Sequence, residues 1–326
     1  MRRRTLVLGA ALAALARPAR AQVDPGTRLV LATATPGGSF PAFGQALAEA
    51  VREADPGLEL TLRPSKGSQE NLVLLRAGSV DLALVQGEYA YDALGARASA
   101  ADRGAQNGSE TGLSVVAPVS TSPGLFVVRA DSPIRAVADL RGRRVALGTH
   151  ASGLTVMGRS VLRGSGIDPD GAITPILLDR AGDGAAMVLD GRADALWGAG
   201  TGWPGFRVLA DAPGGARFFG PAPEAIEPIL ALHPSLRRVS VPAGALRGQE
   251  TPVETVGSWS FVLARAGIEA GAVARLVRAM DRGNAALARA YPAGGDAAPR
   301  NLVAAVPAAW LHPESAAYLR ETGALR

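Results

Sequence analysis

The 326-residue sequence predicts an α/β fold of two similar lobes, each a mostly parallel sheet flanked by helices, with two strands crossing the hinge. Three observations carry this expectation. Three apolar runs lead through glycine-bearing turns into helical patterns. A helix-end, turn and strand sequence from the first part of the chain recurs in the second. Two apolar stretches, Gly124 to Arg129 and Trp259 to Ala264, face different surroundings at each end, as strands crossing between lobes do. The expected boundaries are a signal segment at 1–21, lobe I at 24–126 plus 258–326, and lobe II at 127–257.

From the start of the chain, Arg2 to Arg4 form a basic head and Thr5 to Ala16 an apolar run. Ala19-Arg20-Ala21 then makes a small-x-small cleavage site before Gln22. The run falls short of the roughly 20 residues that span a bilayer, so it reads as a cleavable export signal. Consecutive arginines ahead of Thr5-Leu6-Val7 resemble a twin-arginine signal. The expected location is the periplasm. The formal net charge of +5 invites a nucleic-acid partner, but the arginines at 2, 3, 4, 17 and 20 account for all of it, which excludes that reading. With no cysteine, the chain has no disulfide, thiolate nucleophile or Cys metal site.

Arg28 to Thr33 reads as a strand entering the turn Pro36-Gly37-Gly38-Ser39, then a helix with Phe43, Leu47, Ala50 and Val51 on one face. Leu58 to Leu62 enters Ser65-Lys66-Gly67-Ser68 and a helical run ending at Arg76. Arg143 to Leu147 enters Gly148-Thr149-His150-Ala151-Ser152-Gly153 and a helix ended by Gly164. A serine stands at the expected N-cap each time: Ser39, Ser68 and Ser152. The echo pairs Leu74 to Leu84 with Val188 to Leu196, both a helix end, a G-x-x-D turn and a buried strand. Asp81 and Asp194 thereby read as equivalent structural residues. Residues 98–112 read as a surface loop, and the Pro- and Gly-rich stretch 204–228 has no clear pattern. Helices are expected over 269–291 and 313–325.

Glycine turns at helix starts point to an anion, because the unpaired N–H groups there carry partial positive charge. None of these turns is G-x-G-x-x-G or G-x-x-x-x-G-K-S/T, so a nucleotide fits poorly and a small carboxylate fits better.

The runs ATATPGGSF, SKGSQENLVLLRAGSVDLALVQGEYAYDAL, DLRGRRVALGTHASGLTV, DGRADALWGAGTG and VSVPAGALRGQETPVETVGSW resemble the solute-binding proteins of TAXI-type TRAP transporters over most of the chain. That resemblance implies a type II periplasmic-binding fold. It also implies a cleft ligand of the acidic amino acid or dicarboxylate class, passed to an ion-coupled TRAP membrane permease. Gly37, Gly38 and Ser39 match the family's glycine turn, with Phe40 where an aromatic Tyr is expected and Pro41 where a second Tyr would stand. Ala34 and Pro36 depart from the usual Gly and Thr. Gly67, Ser68 and Asn71 match the second loop, with Lys66 replacing a Gly; Gln86 and Tyr89 match the end of the next strand. Ser152 and Gly153 match in lobe II, where Leu154 replaces a Thr.

Lys66, the only lysine in the chain, is a candidate partner for a ligand carboxylate. His150 is a candidate donor from the other lobe, Gln86 a polar contact, and Trp197 and Trp203 covers for an apolar part of the ligand. His233 and His312 each precede proline and read as loop residues, so no metal site and no cofactor are expected. No G-x-S-x-G elbow precedes a base, which favours binding over catalysis. A monomer is expected. The rival readings are the binding protein of an ABC importer or membrane sensor, and an exported enzyme.

Overall fold

A computed structural model describes residues 26–102 and 112–326; the export segment read at 1–21 lies outside the described residues. The chain opens with β1 (Thr27–Ala32), α1 (Ser39–Ala54), β2 (Leu58–Arg63), α2 (Ser68–Arg76), β3 (Leu82–Gln86) and α3 (Gly87–Asp102). A long strand, β4 (Ser114–Arg129), leads to β5 (Arg144–Thr149), α4 (Gly153–Gly164), β6 (Thr174–Leu178), α5 (Asp183–Leu189), β7 (Ala195–Ala199) and α6 (Pro204–Asp211). Next come β8 (Ala216–Phe219), α7 (Ile226–Leu230), β9 (Leu236–Val241) and β10 (Val253–Ala264). The helices α8 (Ala270–Ala290), α9 (Leu302–Ala305) and α10 (Pro313–Glu321) complete the chain.

The strands run in the order β2-β1-β3-β10-β4-β7-β5-β6, with β8 beside β4 and β9 beside β10. Within each group of strand–helix units the pairing is parallel: β1 with β2 and β3, β5 with β6 and β7. β4 and β10 run antiparallel to their neighbours and connect the groups. β4 pairs with β10 from Ser114 to Pro123, then with β7 from Gly124 to Val127 and β8 from Phe126 to Arg129. β10 pairs with β9 from Val253 to Ser258 and with β3 from Ser260 to Ala264.

Both faces of each sheet are covered, which is why these strands read as continuous apolar runs. Leu31, Leu84 and Val262 pack under α1 and α8 with Phe43, Leu47 and Leu276; Ala32, Val85 and Phe261 face the other way, toward Leu75, Leu94 and Trp310. Phe126, Val145, Leu147 and Met157 build the equivalent layer of the other half, and Leu125, Ala146, Leu196 and Phe206 its reverse. The echoed turns do the same work in each half. Asp81 accepts the Val30 N–H at 2.9 Å and pairs with Arg265; Asp194 accepts the Arg144 N–H at 2.8 Å and pairs with the same residue's guanidinium. Each aspartate ties the start of its own strand to a neighbouring parallel strand, Asp81 to the middle of β1 and Asp194 to the start of β5.

Two expectations need correction. The stretch read as a loop from 98 is helical as far as Asp102, where α3 ends, because small helix-forming alanines continue its last turns; residues 103–111 lie outside the description. The serines at 39 and 68 are not N-caps. Gly38 and Gly67 hold that position, with no side-chain cap, and the serines are the first helical residues. Only Ser152 caps as expected, its hydroxyl accepting the Leu154 N–H at 3.1 Å.

Candidate functional site

Parallel strands deliver their C-terminal ends to one edge of a sheet, and the helix that follows each begins there. Here β1, β2 and β5 end facing a common hollow, and the starts of α1, α2 and α4 surround it. The cavity, of about 70 Å³, is lined by Gly38, Ser39 and Phe40 at the start of α1, by Lys66, Gly67 and Ser68 leading into α2, and by Ser152 and Leu154 at the start of α4. Gln86 at the end of β3, Ser122 of β4 and Ser260 of β10 line it from the crossing strands. Trp203, Thr35, Thr149, Ala181 and Ala199 belong to its wall as well.

The turn before α2 is held by its own side chains. The Ser65 hydroxyl donates to Thr33 O at 3.2 Å and accepts the Gly67 N–H at 3.1 Å, while the Glu70 carboxylate accepts the Lys66 N–H at 2.6 Å. Gly67 sits at φ 122, a conformation that side-chain-bearing residues rarely adopt. Asn71, fully buried, donates to both Thr33 O and Leu84 O at 2.7 Å, clamping the ends of β1 and β3 together. The Ser68 hydroxyl accepts the Gln86 N–H at 3.0 Å, so its own proton is free to donate elsewhere. On the α1 side Ser39 is hydrogen-bonded to Tyr291, whose hydroxyl burial pushes up to about 12.

Across the hollow the two halves touch directly. Thr35 Oγ1 accepts the Ala181 N–H at 3.1 Å, Pro36 O accepts the Gly182 N–H at 3.3 Å, and Gly37 O accepts the Trp203 indole N–H at 3.0 Å. On the opposite rim the Gln69 N–H donates to Ala151 O at 3.1 Å. A Cβ at Gly37 would lie 2.5 Å from Gly182 Cα, so only glycine permits this approach.

Of the residues read from the sequence, Gly38, Ser39, Phe40, Lys66, Gly67, Ser68, Gln86, Ser152 and Trp203 are brought to one cavity. Gly37 and Gly153 stand just behind it: Gly37 on the rim contact above, and Gly153 where a Cβ would lie 2.8 Å from the Gln86 side chain. Trp197 and His150 are not brought there. Trp197 is fully buried beside Phe126, its indole lying over Gly124 and Gly158 and donating to Leu154 O at 2.8 Å; it is core. His150 is exposed on the turn and lines no part of the cavity. Tyr89 packs behind β3 with its hydroxyl pKa raised, chiefly by burial. His233 meets Asp92 and Ser235, and His312 caps α10; among the described residues no group of three or more metal-ligating side chains gathers.

Ser122 and Ser260 escaped the sequence reading. For Ser260 the available signal was a serine within the buried, apolar end of a strand, which needs a partner or a use; Ser122 stands in the polar run Ser120-Thr121-Ser122, which gave none.

Among the described residues Lys66 is the one charged residue on the lining, and no carboxylate side chain lines it. Gln86 Nε2 and Ser260 Oγ are buried without a hydrogen-bond partner among the described residues. First-turn helix N–H groups, one cation and unpaired polar atoms thus share one small hollow, the arrangement of a small-solute pocket.

Strands crossing between two sets of α/β units, with a polar hollow at their junction, define the class: a fold of the periplasmic-binding type. A structure described as a periplasmic transporter superposes with a TM-score of 0.54 at 15% identity, covering 83% of this chain and 87% of that one. A hydrogen-peroxide-bound OxyR from Corynebacterium glutamicum superposes at 0.51 with 12% identity, covering 87% of this chain and 70% of the other. These likenesses are of fold. By sequence, residues 31–323 match the NMT1-like family model, and the chain belongs to the NMT1-like family.

Proposed function

We propose that this protein is an extracytoplasmic solute-binding protein that captures a small carboxylate between two lobes and hands it to a TRAP-type membrane permease. The observation that carries the reading is the cavity itself. Glycine-started helices α1 and α2 and the start of α4 converge on a hollow with one lysine, no carboxylate and two unpaired polar side chains. The ligand carboxylate would take the N–H groups of Ser39, Phe40 and Ser68 and the ammonium of Lys66. It stays unchanged, since no nucleophile–base pair lines the site.

The lobes are 24–126 plus 258–326 and 127–257, and bending in β4 and β10 opens and closes them. The rim hydrogen bonds belong to the closed form, which the ligand favours by bridging both sides. Export by the segment at 1–21 places the protein in the periplasm, acting as a monomer. The resemblance of its glycine turns to TAXI-type binding proteins supports the TRAP partner. Among the described residues no helix is long and apolar enough to cross a membrane.

Native mass spectrometry of the purified protein, followed by small-angle scattering with the carboxylate it carries, tests this. Compaction at saturating ligand is expected, with about 2.7 kcal/mol of added stability at 100 times the dissociation constant. Unchanged scattering, or turnover of the bound acid, would overturn it.

A further inference from the structure

The inner wall of the cavity carries a pair of polar groups on neighbouring strands. Gln86 and Ser260 are direct partners in the antiparallel register of β3 and β10, so their side chains stand on the same face. Two residues earlier on β3 and two later on β10, the same face carries core residues Leu84 and Val262. Gln86 is 7% exposed and Ser260 1%, and neither Gln86 Nε2 nor Ser260 Oγ has a partner among the described residues. A buried polar group left unpaired costs about 1–3 kcal/mol, so alanine or leucine would serve a purely structural position better. Beside Ser260 the pairing of β10 with β4 shifts register between Trp259 and Phe261, an irregularity of the kind that re-aims side chains next to binding sites.

The charge on the lining narrows the ligand further. An α-ammonium group would be desolvated beside three helix starts of the same sign, with no carboxylate on the wall to offset it. An uncharged oxygen meets no such penalty, and Gln86 Nε2 and Ser260 Oγ both have a proton to give it. The volume of about 70 Å³ admits about half a dozen non-hydrogen atoms at roughly 10–15 Å³ for each water-sized sphere.

Resting on the carboxylate-binding reading above, we propose that Gln86 and Ser260 hold an uncharged oxygen on the carbon next to the ligand's carboxylate. The ligand is then a small 2-hydroxy or 2-oxo acid, and amino acids are rejected. The carboxylate lies toward the helix starts and Lys66, and the neutral oxygen against the strand pair.

Calorimetry of the purified protein with L-lactate, pyruvate, propionate and L-alanine tests this, because the four share one carbon skeleton and differ at the second carbon. Lactate and pyruvate are expected to bind at least about 10-fold tighter than propionate, with alanine no tighter than propionate. Ser260→Ala should bring lactate down to the affinity of propionate, and an unchanged cooperative urea-denaturation profile shows that the variant is folded. Equal binding of lactate and propionate, alanine binding as tightly as lactate, or an equal loss for both acids in Ser260→Ala would overturn the proposal. Binding by none of the four would overturn it too, while ligand-induced compaction with another carboxylate would leave the broader reading standing.

Discussion

The helix starts around the cavity differ from those elsewhere in the way they satisfy their first N–H groups. α8 begins with Glu269, whose carboxylate accepts from both Gly271 and Ala272, and α10 begins with His312, whose ring accepts from Glu314. The start of α3 holds Glu88 in its first turn, a fully buried carboxyl that accepts a hydrogen bond from Ser258. α1 and α2 begin instead with Gly38 and Gly67 and have no side-chain cap. A helix that supplies its own acceptor has little left for a ligand, whereas a glycine start leaves part of the first turn without a side-chain acceptor, although in α2 the Gln69 N–H is already given to Ala151 O and Glu70 accepts from Lys66. Capping therefore separates helices that serve stability from helices that serve binding, and α4, capped by Ser152 yet lining the cavity, does some of each.

The largest effect should come from the buried acid of the self-supplied class. Burial, with a smaller push from Asp92, raises the Glu88 carboxyl to about 7, above its ordinary 4.5. The folded state therefore holds this proton more tightly than the unfolded chain. Its contribution to stability is complete below about pH 4.5 and is lost as pH rises through about 7, a change on the order of 3 kcal/mol. Glu88→Gln keeps a neutral group beside Ser258 and should flatten that part of the profile. Urea denaturation at pH 5 and pH 8 checks it; an unchanged slope in the variant would remove Glu88 as the cause.

Converting an open start into a self-supplied one is the sharpest test of the comparison. Gly38 has φ −80, which a side-chain-bearing residue can adopt, although its Cβ would lie 3.2 Å from Thr35 O and the turn must give slightly. Gly38→Asp should weaken carboxylate binding about 100-fold, because like charges brought together cost several kcal/mol. Stability should fall by about 1 kcal/mol or less, a few tenths gained from the cap against the crowding of Thr35 O. Calorimetry and denaturation on the same preparation separate the two effects, and intact binding would break the comparison.

The reverse change follows. Glu269→Ala removes the α8 cap and should lower stability by about 1 kcal/mol, with ligand affinity untouched. A loss of binding there, seen by calorimetry, would mean that capping and binding are not separable. Smallest is Trp203→Phe, which deletes the indole N–H bonded to Gly37 O and leaves a smaller aromatic ring in its place. Losing one such hydrogen bond, worth about 1 kcal/mol, should weaken ligand binding about 5-fold through the closed form. Equal affinities in the two proteins would show that this rim contact does not contribute to closure.

Most of the architecture was legible in the chain because it is local. Phe43, Leu47, Ala50 and Val51 recur at helical spacing and all are buried in α1. The G-x-x-D echo marked two turns whose aspartates do the same job in the two halves. The glycine turns were legible as well, since a turn at Gly67 that needs positive φ declares itself in composition. The caps were misplaced by one residue, because Gly-Ser reads equally well with either residue at the boundary.

Local pattern thus determined the strand–turn–helix units at the front of each half, the faces they bury and the turns that could receive an anion, but not the elements within 204–228. Tertiary structure alone decided which residues those turns would meet. Trp197 and Trp203 look alike in the sequence, yet one lies over Gly124 and Gly158 in the core and the other reaches the cavity rim. Ser260 becomes a partner of Gln86 only through the register of two strands far apart in the chain. The reason is physical: periodicity encodes how a segment buries its own surface, while a binding site is made where separate segments end, and that meeting depends on pairing and packing across the whole molecule.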